Sequence, residues 1–153
     1  MARGRAYTPA IAAAQKWVTK LHVAAYRATK GKIGGRLMSS PVLLLLTTGR
    51  KSGKERTTPL LFLRDGVNYI MVASNGGTAG DPAWWLNLQK DPEAIVEVGG
   101  RTQRVRAEEV KGEEKRRLWT RLVETYPLYE SYQRRTDREI PVILLRPVEG
   151  GAT

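Results

Sequence analysis

The chain has no cysteine and a single histidine, His22. Without thiols there can be no disulfide, no thiolate metal site and no cysteine nucleophile. With one imidazole, neither a histidine-based zinc site nor a histidine triad is expected, and no metal site is expected at all. No serine sits in a G-x-S-x-G elbow and no paired carboxylates mark a hydrolytic cleft, so demanding chemistry would need a borrowed cofactor. No apolar run approaches the roughly 18 residues that span a bilayer. The N-terminus has basic residues but no apolar signal core, so a cytoplasmic protein, soluble or peripheral on the inner face of the plasma membrane, is expected. Acid is missing from the first third: no Asp or Glu precedes Glu55, while residues 1–54 carry eleven basic side chains. Residues 55–153 hold 15 of each sign, so the net charge of +11 belongs to the N-terminal part. Its natural partners are anionic lipid, nucleic acid or a polyanionic ligand.

A length of 153 residues suits one domain with a real core. Its most informative stretch runs from Pro41 to Pro59. Val42 to Leu46 reads as a strand buried on both faces. A turn follows with Gly49, Arg50, Lys51, Ser52, Gly53 and Lys54, and Arg56 opens the next strand. Glycines let a backbone bend close to a ligand, and successive N–H groups in such a turn form an anion-binding concavity. Arginine adds bidentate recognition of oxygens. Four cations around two glycines and a hydroxyl suit a phosphate; the plain alternative is a solvated basic hairpin tip. The spacing is not that of a P-loop, and the turn leads into a strand rather than a helix.

Thr8-Pro9 predicts a helix start, and Ile11, Ala14, Val18, Leu21 and Ala25 form an apolar stripe along it. Lys16, Lys20 and Arg27 lie opposite, with Trp17 on the apolar flank, and Gly31 closes the helix. Either the apolar stripe packs on the domain or it lies on an anionic membrane. Gly31 to Ser40 reads as a linker. Strands are expected at Val42–Thr48, Thr57–Arg64, Val67–Ser74, Ala94–Val98, Thr102–Val110 and Ile140–Leu145. Helices are expected at Ala83–Gln89, capped by Asp81 with Pro82 at the first position, at Gly112–Thr125, and in a further helical turn to Arg135. The hairpin-linked order argues for an antiparallel barrel decorated with helices.

Ser74-Asn75-Gly76-Gly77 is a strand end entering a flexible loop, either a plain loop or a place where backbone meets a flat ligand. In Asp81-Pro-Ala-Trp84-Trp85-Leu-Asn87, two adjacent tryptophans are not expected to share the core. One is free to wall a ring system, and Asn87 to read a ring edge. Tyr126, Tyr129 and Tyr132 lie along one side of a helical turn. They either pack together or present hydroxyl donors to a substrate oxygen. A phosphate turn beside an aromatic-lined pocket describes a phosphorylated flat heterocycle.

The segments GRKSGKERTTPL, VASNGG, DPAWWLNL and YPLYESY…TDREIPV occur in this order. Together they resemble the nitroreductase-family deazaflavin (coenzyme F420)-dependent oxidoreductases, from about Trp17 to Pro147. The resemblance implies an α+β protein built on a split antiparallel β-barrel, like the FMN-binding barrels, of about six strands with flanking helices. Residues 1–36 would be the basic helix and linker, and residues 37–149 the deazaflavin-binding barrel. It implies an enzyme that passes a hydride from reduced F420 to an electron-poor acceptor such as a quinone, an enone or a nitroaromatic. Arg50, Lys51, Ser52 and Arg56 would hold the cofactor phosphate, and Thr57, Thr58, Pro59 and Leu60 would run along the ribityl chain and ring. Val72, Ala73, Ser74, Asn75, Ala83, Trp84, Trp85 and Asn87 would line the deazaflavin. Tyr126, Tyr129 and Tyr132 would face the acceptor, with Ser74 as hydroxyl partner. The chain departs from the nitroimidazole-reducing member at Asn75 and Trp85, where that protein has Lys and Tyr. The rival readings are a related barrel using FMN or haem, and a basic membrane- or nucleic-acid-binding module without catalysis. Nucleic acid is not expected, because the aromatics lie in the neutral part of the chain.

Overall fold

The computed structural model describes residues 9–31, 36–37 and 40–152. The first helix, α1 (Pro9–Ala28), precedes strands β1 (Arg36–Leu37), β2 (Ser40–Thr48), β3 (Glu55–Leu61), β4 (Leu63–Asp65) and β5 (Asn68–Val72). A short 3-10 turn (Asn75–Gly77) and helix α2 (Ala83–Lys90) lead to β6 (Glu93–Val98) and β7 (Arg101–Val110). Helices α3 (Gly112–Thr125) and α4 (Leu128–Arg134) come before β8 (Val142–Ala152).

All pairings are antiparallel, in the order β1-β2-β6-β7-β8-β5-β4, with β3 on the other edge of β2. Only Phe62 separates β3 from β4, so one extended stretch pairs with β2 at one end and β5 at the other. That stretch brings the two ends of the sheet together and makes it a barrel. Among the described residues there are eight strands where about six were expected: β1 lies in the expected linker, and the expected Thr57–Arg64 strand divides at Phe62 as it changes partners.

Alternation sorts the strand residues into layers. Leu43 and Leu45 of β2, Met71 of β5, Val96 of β6 and Ile143 and Leu145 of β8 fill the barrel. Ile70, Val72, Val142 and Leu144 point outward under Leu118 and Leu122 of α3. Val42, Leu44 and Leu46 point outward beneath α1, which explains the unbroken apolar run in β2: both faces are covered.

The helix α1 does not dock by the expected stripe. Val18 and Leu21 are 66% and 69% exposed, whereas Tyr26 is buried and Val23 packs on the same cluster. The Tyr26 hydroxyl donates to Glu97 O (3.2 Å) and accepts the Gly99 N–H (3.0 Å). Arg27 pairs with Glu97 at 2.8 Å. One tyrosine thus both fills the groove beside β2 and satisfies two backbone groups at the β6–β7 turn, and this rotates the stripe outward. Gly31 ends the helix as expected, with φ +85° and its N–H on Tyr26 O. Thr8 and the side chains of Ile11, Ala14 and Trp17 lie outside the described residues.

Candidate functional site

The registry of β2 against β3, ending with Thr48 opposite Glu55, places the basic turn at one end of the barrel. Gly49 N–H donates to Lys54 O (2.7 Å) and Gly53 N–H to Gly49 O (2.8 Å), with Gly53 at φ +72°. The Ser52 hydroxyl accepts from Lys54 N–H (3.2 Å) and lies 3.5 Å from an Arg56 nitrogen. Ser52 therefore organises the turn from within. A Cβ on Gly49 would come within 2.9 Å of that hydroxyl, so the glycine makes room for it.

Helix α2 holds the turn from behind. Buried Asn87 accepts from the backbone N–H of Arg50 (3.2 Å) and from its guanidinium (3.1 Å), and donates to the Thr47 hydroxyl (3.1 Å). Lys90 donates to Arg50 O (2.8 Å). Asn87 thus positions Arg50 as well as standing in the cavity wall.

These residues open onto a cavity of about 1120 Å³. The cavity gathers Arg50, Lys51, Ser52 and Arg56 from the turn, Thr57, Thr58 and Leu60 from β3, and Val72, Ser74 and Asn75 from the end of β5. Ala83, Trp84 and Asn87 of α2 close another side. A cationic mouth and an apolar wall of Leu60, Val72 and Trp84 therefore share one space. The fourth side comes from α1, through Lys16, Thr19, Lys20, Val23, Ala24 and Arg27; the sequence pointed to a polyanionic partner for this basic segment without naming these residues as part of the site. The basic stripe opposite the apolar one, in a segment without acid, was the signal for it.

Six of the expected residues lie elsewhere. Pro59 is absent from the cavity lining, and Ala73 is fully buried in the barrel core. Trp84 and Trp85 are both buried, at 5% and 6% exposure, against the expectation that only one would be. Both belong to the cluster that fills the barrel, together with Leu43, Leu45 and Leu88. Trp85 faces a smaller cavity of about 360 Å³ with Asp81, Lys115, Arg138 and Glu139. Asp81 does not cap α2; its carboxylate pairs with Arg138 at 2.9 Å.

Tyr126, Tyr129 and Tyr132 come together, with Trp119, around the ring of Tyr129 in the α3–α4 layer and not among the residues that line the main cavity. Ring centroids lie 5.3 Å apart for Tyr126 and Tyr129, 6.3 Å for Tyr129 and Tyr132, and 6.5 Å for Trp119 and Tyr129. Burial, then the neighbouring Tyr126 and Tyr132, raise the Tyr129 pKa, so this phenol stays protonated. The cluster supports the site indirectly: Gly77, at φ +76°, lets the Asn75–Gly77 turn approach the Tyr132 backbone where a Cβ would stand 2.9 Å from Tyr132 O.

The model of the F420H(2)-dependent quinone reductase family matches residues 17–147, which include every residue named above as lining the cavity except Lys16. The chain belongs to this family. A relative in Mycobacterium tuberculosis (strain ATCC 25618 / H37Rv), an F420H(2)-dependent quinone reductase, is 42% identical over 130 residues, covering 82% of this chain and 87% of the relative. A solved F420-H2 dependent reductase (FDR-A) is 41% identical with TM-score 0.64, over 69% of this chain and 94% of that one. Another solved structure, described as a domain-swapped dimer, is 35% identical with TM-score 0.67, over 86% of this chain and 98% of that one. The family decides for an F420-dependent reductase on a split barrel, against an FMN or haem barrel and against a module without catalysis.

Proposed function

We propose that the cavity holds coenzyme F420 with its phosphate in the Gly49–Lys54 turn and its ring against Leu60, Val72, Ala83 and Trp84, leaving Ser74, Asn75 and Thr78 toward a quinone. The observation that carries this reading is one cavity in which the basic turn, the apolar wall and Ser74 meet. The donor set fits the group: exposed Lys51 and Arg56 and half-buried Arg50 offer charge to a phosphate at a turn whose backbone is already fixed. Lys16 and Lys20 on α1 give the cofactor's anionic oligoglutamate tail a second set of cations.

Reduced F420, when bound, supplies a hydride. The chain's own part is position and field. Arg50 is oriented by Asn87, α2 and β3 wall the ring space from two sides, and α1 lines a further side. The Ser74 hydroxyl is the donor placed to stabilise charge on the acceptor oxygen. Quinones, enones and nitroaromatics share the electron-poor π system this arrangement serves, and their relative turnover ranks them.

The deciding measurement is a fluorescence titration of F420 with wild type and with Arg50→Ala/Lys51→Ala. Charge-assisted hydrogen bonds contribute about 1.5–3 kcal/mol each, so affinity falls at least about tenfold in the double variant. An unchanged dissociation constant removes the turn from the site.

A second reading concerns α1, because Val18 and Leu21 project from a helix that is anchored by its other side. We propose weak, reversible association of this ridge with an anionic bilayer surface. No helix among the described residues is long and apolar enough to cross a membrane. Sedimentation with anionic vesicles tests the contact; Val18→Ser/Leu21→Ser abolishes it, and equal sedimentation of both forms ends the proposal.

A further inference from the structure

Behind Ser74, on the side away from the main cavity, one guanidinium holds a whole loop. Arg138, between α4 and β8, has a side chain 14% exposed. Its Nε donates to Thr78 O (3.0 Å), Nη1 to Asp81 Oδ1 (2.9 Å), and Nη2 to both Ala73 O (3.1 Å) and Ser74 O (2.7 Å). All four acceptors belong to residues 73–81, the segment that carries Ser74, Asn75 and Thr78 into the cavity wall. Arg138 itself lines the smaller cavity and is not among the residues that line the main one.

The arginine is fixed in its turn. Its N–H donates to the Thr136 hydroxyl (3.3 Å) and its carbonyl accepts from the Gln133 amide (2.8 Å). The other end of that amide accepts the Ile140 N–H (2.9 Å). Burial lowers the Arg138 pKa and Asp81 opposes this, yet an arginine does not lose its proton in a protein. The loop turns sharply at Asn75, which stands at φ +48°, a left-handed conformation that asparagine adopts more readily than other residues except glycine. Asn75 Nδ2 and Thr78 Oγ1 both donate to Gly80 O, bonds that close the loop on itself but do not tie it to the barrel. Arg138 provides that tie.

We propose that Arg138 is a positioning residue for the reductase reaction, holding Ser74 and the acceptor-side wall in register with the bound cofactor while touching neither cofactor nor acceptor. The proposal rests on the cofactor placement above. A planar fork with donors in fixed directions suits four acceptors on one curved segment; a lysine would keep the charge and lose the fork. The phosphate turn is held separately, by Asn87 and Lys90, so the two ends of the site come apart under mutation.

The test uses the full chain as wild type, Arg138→Gln, Arg138→Lys and Asp81→Asn. Three quantities are read: hydrogen exchange by segment, the F420 dissociation constant, and kcat and KM with a soluble naphthoquinone. In Arg138→Gln, exchange rises within residues 73–81 and not in residues 49–56. The F420 dissociation constant stays within about threefold while kcat falls at least about tenfold, the signature of an interaction realised in the reacting complex. Arg138→Lys recovers part of kcat, and Asp81→Asn gives a smaller loss with the same split. If Arg138→Gln does not accumulate folded, Asp81→Asn decides by that split. The proposal is overturned by an unchanged kcat, by loss of F420 affinity in step with kcat, or by exchange that rises throughout the molecule. Should wild type fail to bind F420 while the 73–81 segment still loosens in Arg138→Gln, the cofactor placement fails and the clamp on the loop stands.

Discussion

At the level of single residues, Asn87 shows how a buried amide turns a flexible cation into part of a site. Its oxygen takes both the backbone and the guanidinium of Arg50, and its nitrogen serves Thr47, itself 3% exposed. Truncation in Asn87→Ala leaves the Thr47 hydroxyl without this partner, at a stability cost of about 1–3 kcal/mol. It also frees Arg50 to sample other rotamers, so F420 affinity falls by about tenfold with kcat nearly kept. Equal affinity in variant and wild type would show that Arg50 needs no such holder. Tyr129 makes the opposite case. Its ring is packed between Trp119, Tyr126 and Tyr132, so Tyr129→Phe leaves F420 affinity and turnover within about twofold. Tyr129→Ala removes the ring and lowers stability by about 3–5 kcal/mol in a denaturant titration. A collapse of turnover in Tyr129→Phe alone would instead bring the hydroxyl to the acceptor, as the family resemblance implies. The turn between β2 and β3 was legible because glycines and polar residues between two strand patterns mark a hairpin connection. Arg138 was not, because its partners lie 57 to 65 positions back and only the fold brings them near.

Among the elements, α3 illustrates a tie that pH can loosen. Asp65, at the end of β4, accepts from Arg117 (2.9 Å) and Arg121 (2.9 Å), and Arg121 also donates to Arg64 O (3.0 Å). The hydrogen bond from Arg117 chiefly holds the Asp65 pKa below its usual value. A depressed carboxylate pKa contributes stability that is fully present above the unfolded value, about 3.9, and is lost as pH falls through the folded value. Thermal unfolding followed from neutral pH to about pH 3 therefore shows a decline that Asp65→Asn makes shallower; parallel curves would exclude this tie. Most strands were readable from alternation and turn residues, and β2 from its continuous apolar run. Two features escaped. The break at Phe62 is a change of partner within one extended stretch, which leaves no mark on local pattern. The rotation of α1 follows from Tyr26 and Arg27 meeting the β6–β7 turn, and a helical wheel scores neither contact.

For the molecule as a whole, the telling quantity is where the charge goes. The N-terminal 54 residues have no acid, and the fold brings two separate parts of that segment, α1 and the Gly49–Lys54 turn, onto one cavity. The rest of the chain is balanced and much of it is internally paired, as in Arg106 with Glu93 and Arg146 with Glu108. A net charge that reads in sequence as a general preference for polyanions thus lies in part around one cavity, through Lys16, Lys20, Arg50 and Lys51. Lys16 and Lys20 are exposed, so reversing them disturbs little packing, and they sit on the cavity, so reversing them changes what an anion meets there. In low salt, Lys16→Glu/Lys20→Glu is expected to weaken F420 binding by about tenfold, mostly through a slower association rate. Exposed charges are screened over a Debye length of about 10 Å at 0.1 M and 3 Å at 1 M, so the gap between variant and wild type closes as salt is raised. Stopped-flow fluorescence across a salt series measures both. Wild-type association that ignores salt, or a variant whose deficit persists undiminished in high salt, would mean that α1 meets the ligand by contact rather than by its field.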